Sequence, residues 1–442
     1  MLAGAAASTV FSVPLVTHAR QSGSASGELV EWGFGVQETN PLARARVLAF
    51  QEEYSDVDLT IVESFDEQKL LTAAASDTLP DVIWLSRFET ATWAARGVLQ
   101  PLTEYIERDN YDISAFYEQA IDEATFEDEI YGIPGGSDVR ALFVNIDHLE
   151  QAGVSVDDLD TSDWEALAEL ASDLVIRDGD TIQTWGFDHK VQADNFWLWG
   201  VGNGGSFLSE DGMEATFNDE ANVEALDWAY RTYENQGGLT DYRSVSSSWQ
   251  GDEQFAREQV AMTLYEQWMV SGPVATVAPE LNFKVIPVRA NGSGPDGDIA
   301  SYSGGNAWYI TSGAKNPDAA WEFIAYMHSD ETWKIGADAV KEAREAEGRP
   351  YFPSFTGKIS ADAYQFEEVY ESVGPAFDEA VDVFQQIAEV SRNREIAKSP
   401  VAGQLVDILR QDGVEPALGG NTSAQDALDQ ANTAAQDAID MF

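Results

Sequence analysis

The chain has 442 residues, of which 77 are acidic and 25 are basic, so its formal net charge is -52 at neutral pH. At about 100 to 200 residues per domain, this length predicts two or three domains, and the 44% apolar content excludes a disordered acidic tail. Because such a charge repels phosphate groups, we expect no nucleic-acid partner and no binding to anionic membrane surfaces.

The first 27 residues predict an exported protein. Residues 1–19 are small and apolar and end in Thr-His-Ala, a passable signal-cleavage sequence, and a Ser/Gly-rich linker follows over 21–27. The basic segment that normally precedes such a stretch is missing. We interpret residues 1–27 as the remnant of an export signal with a flexible linker, and a buried N-terminal helix is the alternative. Since the chain has no cysteine, it cannot be lipidated as written.

Strand and helix patterns alternate from Glu28 to Gly97, which predicts a βαβαβ unit and a mostly parallel sheet. The predicted strands cover 29–34, 57–62 and 81–85, and the predicted helices cover 41–54, 66–75 and 89–96. Sheets of this kind bind ligands beyond the carboxyl ends of their strands. Those ends fall at residues 32–38 and 84–87 in this chain.

A second α/β region follows residue 138. Its predicted strands are 139–145, 260–264, 283–288 and 307–311, and its predicted helices lie near 163–174, 222–234, 252–258 and 317–327. Residues 195–199 are predicted to form an aromatic loop, and the last hundred or so residues read as mostly helical. The fold class is therefore α/β with no internal repeat.

Most catalytic and cofactor motifs are missing. The sequence has no nucleophile elbow, no P-loop, no zinc-protease motif and no complete calcium loop, and no two of its four histidines have metal-ligand spacing. We therefore expect no enzymatic activity, no cofactor and no metal. A secreted glycoside hydrolase is an open alternative, because paired carboxylates could serve it, although chance pairs are common among 77 acids.

Aromatic residues in loops are the strongest chemical signal. Four of the 13 tryptophans have helical spacing among apolar residues and are expected in the core, namely Trp93, Trp164, Trp228 and Trp321. Trp32 and Trp84 lie near strand ends, where core and site are equally plausible. Five others flank Gly, Ser or Asn and are expected to line a sugar pocket, namely Trp197, Trp199, Trp249, Trp268 and Trp308. Indole faces stack on the C–H face of a sugar while polar groups take its hydroxyls.

Several segments together resemble the family 1 solute-binding proteins of ABC transporters, the group that includes maltose- and trehalose-binding proteins. The matching segments occur in the family's order over nearly the whole mature chain, at residues 70–76, 79–82, 97–102, 130–134, 145–147, 203–206, 304–305 and 315–323. The resemblance implies two discontinuous α/β lobes that are joined by a hinge of strand crossovers. It places residues 28–138 and 284–327 in the first lobe, and residues 139–283 and 328–442 in the second.

The resemblance also implies contact positions. Glu38 and Asp138 match places where acidic side chains meet sugar hydroxyls, and Trp268 and Trp308 match aromatic platforms. Three positions depart from the usual sugar binder: Ser86 replaces an Asp, Gly136 replaces an aromatic residue, and Asn306 replaces a Trp. The expected ligand-binding residues are Glu38, Trp84, Ser86, Arg87, Asp138, Arg140, Trp197, Trp199, Trp249, Trp268, Gly305, Asn306, Trp308 and Tyr351. Arg87 and Arg140 could instead pair with nearby acids, or could take a charged ligand group.

The implied function is the extracellular substrate-binding component of an ABC importer that holds a sugar in the cleft between its lobes. A polyol, glycerol phosphate or uronate is the alternative ligand. The implied partners are the small solute and the transmembrane permease subunits, and the protein is expected to be a monomer. Because concentrated salt screens self-repulsion, a charge of -52 also predicts a halophilic protein.

Overall fold

The computed structural model describes residues 25–193 and 195–442. The predicted export signal therefore lies outside the described residues. The described strands are β1 Gly27–Trp32, β2 Val57–Val62, β3 Val82–Ser86, β4 Thr125–Phe126, β5 Glu129–Ile130, β6 Gly132–Pro134, β7 Arg140–Asn145, β8 Ile176–Asp178, β9 Thr181–Asp188, β10 Val260–Glu266, β11 Phe283–Ile286 and β12 Asn306–Ile310.

The helices cover most of the remaining chain. They are α1 Pro41–Glu53, α2 Glu67–Ala75, α3 Thr90–Ala95, α4 Thr103–Asp109, α5 Glu118–Glu123, α6 Ile146–Gln151, α7 Trp164–Asp173, α8 Phe196–Gly202, α9 Glu220–Gln236, α10 Gly238–Ser246, α11 Ala275–Val277, α12 Pro317–Met327, α13 Asp330–Ala346, α14 Ile359–Tyr364, α15 Pro375–Val390, α16 Ala402–Ile408, α17 Glu415–Leu418 and α18 Ala424–Asp440. Among the residues that the structure describes, no helix combines the length and apolar character needed to cross a membrane.

The first lobe is built on a five-stranded sheet with the order β2-β1-β3-β12-β6. Strand β1 runs parallel to β2 and β3, as the βαβαβ pattern predicts, whereas β12 runs antiparallel to β3. Helix α1 begins where the sequence favours it, because Pro41 occupies its first turn and the side chain of Asn40 accepts a hydrogen bond from the amide of Ala43. The carboxyl ends of β1, β2 and β3 therefore open at one edge of this sheet.

The second lobe is built on another five-stranded sheet, with the order β11-β7-β10-β9-β8. Strand β7 is an interior strand and pairs antiparallel with both β10 and β11. Its side chains from Ala141 to Val144 are buried, and helix α15 covers the same strands. Two separate sheets with separate cores confirm the expected two-lobed α/β fold.

The chain crosses between the lobes at points that differ from the expected boundaries. The first crossing lies between β6 and β7, close to the expected residue 138. The second crossing lies after β11, because Phe283–Ile286 pairs in register with Leu142–Asn145 of the second lobe. Residues 284–286 therefore belong to the second lobe, and the chain rejoins the first sheet only at Asn306.

The third crossing also comes later than Met327. Helix α13 packs against α1 in the first lobe. The guanidinium of Arg46 lies 3.7 Å from the ring centroid of Trp333 and donates a hydrogen bond to the carbonyl of Met327. These buried contacts hold residues 330–346 on the first lobe, so the assignment of all residues after 327 to the second lobe is wrong.

Two local expectations also fail. The predicted aromatic loop at 195–199 is largely helix, because α8 begins at Phe196 and buries its large side chains on several sides. The predicted helix at 252–258 is a series of turns in which Glu258 has a left-handed backbone with φ of 58°. A non-glycine residue in that region interrupts a right-handed helix.

Candidate functional site

A pocket of about 620 Å³ lies at the carboxyl ends of the first sheet's strands. It contains three expected site residues, Trp84, Ser86 and Asn306, and the last two are opposite each other in the β3–β12 pairing. The rest of its lining is Gly33, Glu63, Ser64, Phe65, Glu67, Leu85, Glu89 and Trp93. We call it the first-lobe pocket. It combines aromatic walls with carboxylate, hydroxyl and amide groups.

The indole of Trp84 is half-buried and is held by rings beneath it. Its centroid lies 4.7 Å from that of Trp308 and 5.3 Å from that of Phe34. Gly135 is required here, because a Cβ at that position would lie 2.6 Å from the Trp84 ring. Trp308 itself is fully buried, so the expectation that it contacts ligand is wrong. It faces the core because its strand packs against the helix layer, where its ring meets Phe323.

The second lobe presents an aromatic platform around the end of β10. Trp268 is 38% exposed, and its ring centroid lies 5.0 Å from that of Tyr265, whose hydroxyl donates to Asp252. Burial and Asp252 both raise the pKa of Tyr265, so this hydroxyl stays protonated. The ammonium of Lys190 lies 5.2 Å from the Tyr265 ring and 5.6 Å from the ring of half-buried Trp249. These residues form the second-lobe platform.

A groove of about 910 Å³ has walls from both lobes. Trp268 and Gln267 line it from the second lobe, and Leu42 and Arg344 line it from the first. Tyr351, another expected site residue, lies at its edge, but its hydroxyl already donates to Gln365 at 3.0 Å. The groove therefore brings Trp268 and Tyr351 together beside the junction of the lobes.

Arg87 lies beneath the cleft and ties the two crossover segments together. Its side chain is fully buried, and it donates to the carbonyl oxygens of Gly136 at 2.5 Å, Gly304 at 2.6 Å and Asn306 at 3.3 Å. Its Nε also donates to buried Glu123 at 3.3 Å. The structure therefore has the ion pair that the sequence left open, and the fully buried guanidinium of Arg87 is not exposed to the cleft.

Asp138 and Gly305 belong to this hinge. The backbone of Asp138 exchanges two hydrogen bonds with that of Gly304, at 3.1 and 3.0 Å. Gly305 has φ of 132°, and a Cβ there would lie only 2.1 Å from the carbonyl oxygen of Gly136. Only glycine permits both this backbone and this close approach. Gly305 is thus a hinge position, and its role is in the backbone.

Arg140 also pairs with an acid of the protein, although its buried Nε has no hydrogen-bond partner among the described residues. It pairs with Glu266 at 3.0 Å, and its guanidinium lies 4.1 Å from the ring centroid of Tyr302. Next to it, Arg394 pairs with Glu123 of the first lobe at 3.4 Å. Of the two roles that the sequence left open for Arg140, the structure shows the ion pair.

The remaining expected residues are separated from these walls. Trp199 is fully buried and packs on Trp228 at 4.7 Å, so its assignment to the site is wrong. Trp197 is 4% exposed, and its Nε1 donates to Glu395 at 2.5 Å. Both follow from the all-apolar helix α8, in which every residue except the half-buried Val201 is buried. Glu38 is exposed and pairs with Arg44 at 3.4 Å.

Sequence reasoning missed several residues at the walls, namely Glu63, Phe65, Glu89, Lys190 and Tyr265. Glu63 and Phe65 follow the end of β2, and the same signal, position at the carboxyl end of a strand, singled out Trp84 in β3. Burial raises the pKa of Glu89 above its usual value, and the negative charge of Glu67 adds to this shift. Trp93 was expected in the core; it is 1% exposed, yet it forms part of the pocket floor.

Sequence comparison identifies the family. The profile of the family described as "Bacterial extracellular solute-binding protein" matches residues 36–334. The lactose-binding protein of Rhizobium radiobacter is 23% identical over 69% of this chain and 71% of its own length. The arabinooligosaccharide-binding protein of Halalkalibacterium halodurans is 24% identical over 69% of this chain and 68% of its own length.

Solved structures share the fold. An ABC substrate-binding protein of Listeria monocytogenes in complex with cycloalternan superposes with a TM-score of 0.74, at 20% identity, over 94% of this chain and 100% of its own. The GacH receptor of Streptomyces glaucescens superposes with a TM-score of 0.72, at 22% identity, over 95% of this chain and 100% of its own. With a family match over more than half of its length, the chain belongs to the bacterial extracellular solute-binding proteins.

Proposed function

We propose that this protein is the sugar-binding component of an ABC importer and that the sugar lies between the first-lobe pocket and the second-lobe platform. The observation that carries the proposal is a groove lined by both lobes, with the exposed indole of Trp268 on one side and the strand-end pocket of Trp84 nearby on the other lobe. The sugar-binding relatives support the choice of ligand class.

The chemistry of the two walls suits a polyhydroxylated ligand. The faces of Trp84 and Trp268 offer flat apolar surfaces for the C–H face of a sugar ring. The carboxylate of Glu63 can accept hydrogen bonds from its hydroxyls. The hydroxyl of Ser86 and the amide of Asn306 can both accept from these hydroxyls and donate to them. Pockets of this kind are mostly apolar, with a few polar groups that fix the orientation of the ligand.

The hinge gives a physical basis for a binding switch. A ligand that contacts both lobes binds the closed arrangement more tightly than the open one. The difference between these two binding free energies is the amount by which the ligand favours closure. Arg87 and Gly305 keep the two crossover segments in register, so the lobes can rotate about a defined axis. The closed form would then dock, as a monomer outside the cell, on the transmembrane permease subunits.

A ligand screen tests the proposal. Thermal unfolding is recorded in concentrated KCl with lactose, maltotriose, mannobiose, tagatose and ribitol, and each sugar is then recovered and examined by chromatography. Binding to the folded state alone raises the melting temperature by mass action. We expect at least one sugar to raise it and to return unchanged. If no sugar or polyol raises it, the proposal fails, and cleavage of a glycoside would instead establish a hydrolase.

A further inference from the structure

Most cations around the cleft are paired with the protein's own acids. Lys190 pairs with Asp188 at 3.0 Å, Arg140 with Glu266 at 3.0 Å, and Arg344 with Glu347 at 3.6 Å. Arg87 and Arg394 share the single carboxylate of Glu123, which offsets one of their two positive charges, and the side chain of Arg87 is itself fully buried. An anionic ligand could use Lys190, Arg140 or Arg344 only by competing with the carboxylate that each already contacts.

The first-lobe pocket, in contrast, contains carboxylates without a basic partner. Glu63 and Glu89 both line it, and neither forms an ion pair with any lysine or arginine in the described ranges 25–193 and 195–442. Arg96 pairs with Glu67 at 3.1 Å, and the ammonium of Lys69 lies 4.1 Å from the ring centroid of Trp32, outside the lining of the pocket. Among the described residues, Glu63 accepts from the neutral amide of Gln37, at 2.8 Å. The lining therefore contains three carboxylates, those of Glu63, Glu67 and Glu89, and no basic residue.

We propose that Glu63 and Glu89 set the charge selectivity of the cleft, which accepts neutral sugars and amino sugars and rejects uronates and sugar phosphates. This inference rests on the proposed function. A carboxylate or phosphate placed in the pocket meets like charge at close range, and no free guanidinium compensates for it. Hydroxyl and ammonium groups, in contrast, donate to the same two carboxylates, and an ammonium also gains from the Trp84 face.

The polyol alternative is compatible with this selectivity, whereas glycerol phosphate and uronates are not. The half-buried position of Glu89 strengthens the effect, since charges that are partly removed from water are screened less by salt. Selectivity then comes from repulsion of the wrong ligand as well as from attraction of the right one.

The test compares matched ligands and matched variants by titration calorimetry at pH 8. The ligand pair is the neutral sugar that gives the largest melting shift and its analogue with one hydroxymethyl group oxidised to a carboxylate. The proteins are the wild type, the double variant Glu63→Gln/Glu89→Gln, and the control Glu52→Gln. Glu52 is an exposed acid near the far end of α1, so this control changes the charge of the same lobe outside the pocket.

We expect the wild type to bind the carboxylate analogue at least about tenfold more weakly than the neutral sugar. The double variant should narrow that ratio of the two affinities by about tenfold, whatever its affinity for the neutral sugar, and the Glu52→Gln control should keep the wild-type ratio. An unchanged ratio in the double variant, or a wild type that prefers the acid, overturns the inference while the proposed function stands. Binding of no solute at all overturns both.

Discussion

Replacing Arg87 with lysine tests whether this residue stabilises the hinge or is a ligand-binding residue. The native guanidinium reaches four acceptors on different segments, namely the carbonyls of Gly136, Gly304 and Asn306 and the carboxylate of Glu123. Lysine keeps the positive charge, but a single ammonium on a flexible stem cannot reproduce the planar fork. At least some of these buried carbonyls must lose their donor.

The size of the effect follows from those contacts. Each buried polar group left without a partner costs about 1 to 3 kcal/mol. The carbonyls of Gly304 and Asn306 keep backbone donors from Asp138 and Gly135, whereas the carbonyl of Gly136 has no other donor among the described residues. Arg87→Lys therefore predicts a decrease of about 1 to 3 kcal/mol in the free energy of unfolding. Arg87→Met should cost at least as much, because breaking a buried pair typically costs about 3 to 5 kcal/mol. Glu123 would then have only Arg394, at 3.4 Å, as an ion-pair partner.

Urea unfolding in concentrated KCl measures these differences. Arg44→Lys is the matched control, since Arg44 is exposed and makes a single surface pair with Glu38, and it should stay within about 0.5 kcal/mol of the wild type. Adding Glu123→Gln to Arg87→Met should cost less than the sum of the two single changes, because the two side chains interact directly. An Arg87→Lys protein as stable as the Arg44→Lys control would refute the hinge role.

Three further predictions concern sugar binding by Trp268, the titration of Asp362 and the dependence of stability on salt. Trp268→Ala should weaken binding of the screened sugar by about 5- to 150-fold in calorimetric titration, the range for losing a desolvated aromatic contact, and unchanged affinity would remove Trp268 from the site. Burial raises the pKa of Asp362 to about 7, so its protonated form stabilises the fold at pH 4 and this contribution is lost toward pH 7. Relative to the wild type, the free energy of unfolding of Asp362→Asn should therefore rise by roughly 1.4 kcal/mol per pH unit from pH 4 to pH 7. If urea unfolding gives the same pH dependence for both proteins, this prediction is wrong. Raising KCl from about 0.1 to about 3 M should raise the melting temperature by screening the charge of -52, and a flat response would exclude halophilic stabilisation.

The sequence predicts the first lobe well because its signals are local. Alternation between strand and helix periodicity identifies β1, α1 and β2. The carboxyl ends of the predicted strands indicate where a pocket lies, and Trp84 and Ser86 do line a pocket there. The direction of an indole is harder to predict. Trp268 and Trp308 both have small or polar neighbours in the sequence, yet Trp268 follows the end of β10 and is partly exposed, whereas Trp308 lies within β12, where residues 307–310 are buried.

The role of Arg87 could not be read from local sequence. Its acceptors at Gly304 and Asn306 are more than 200 residues away along the chain, and the crossover geometry alone brings them together. The late third crossing has a similar cause. Helix α13 remains with the first lobe because Trp333 covers Arg46, a contact between helices that no periodicity predicts.

Hydrogen–deuterium exchange with and without the sugar found in the screen tests the central claim most directly. If the solute lies between the lobes, amides must become protected on both walls in the same experiment. We expect slower exchange at residues 63–65 and 84–89 of the first lobe and at residues 265–271 of the second. Protection limited to one lobe, or confined to a surface away from both walls, would contradict the account.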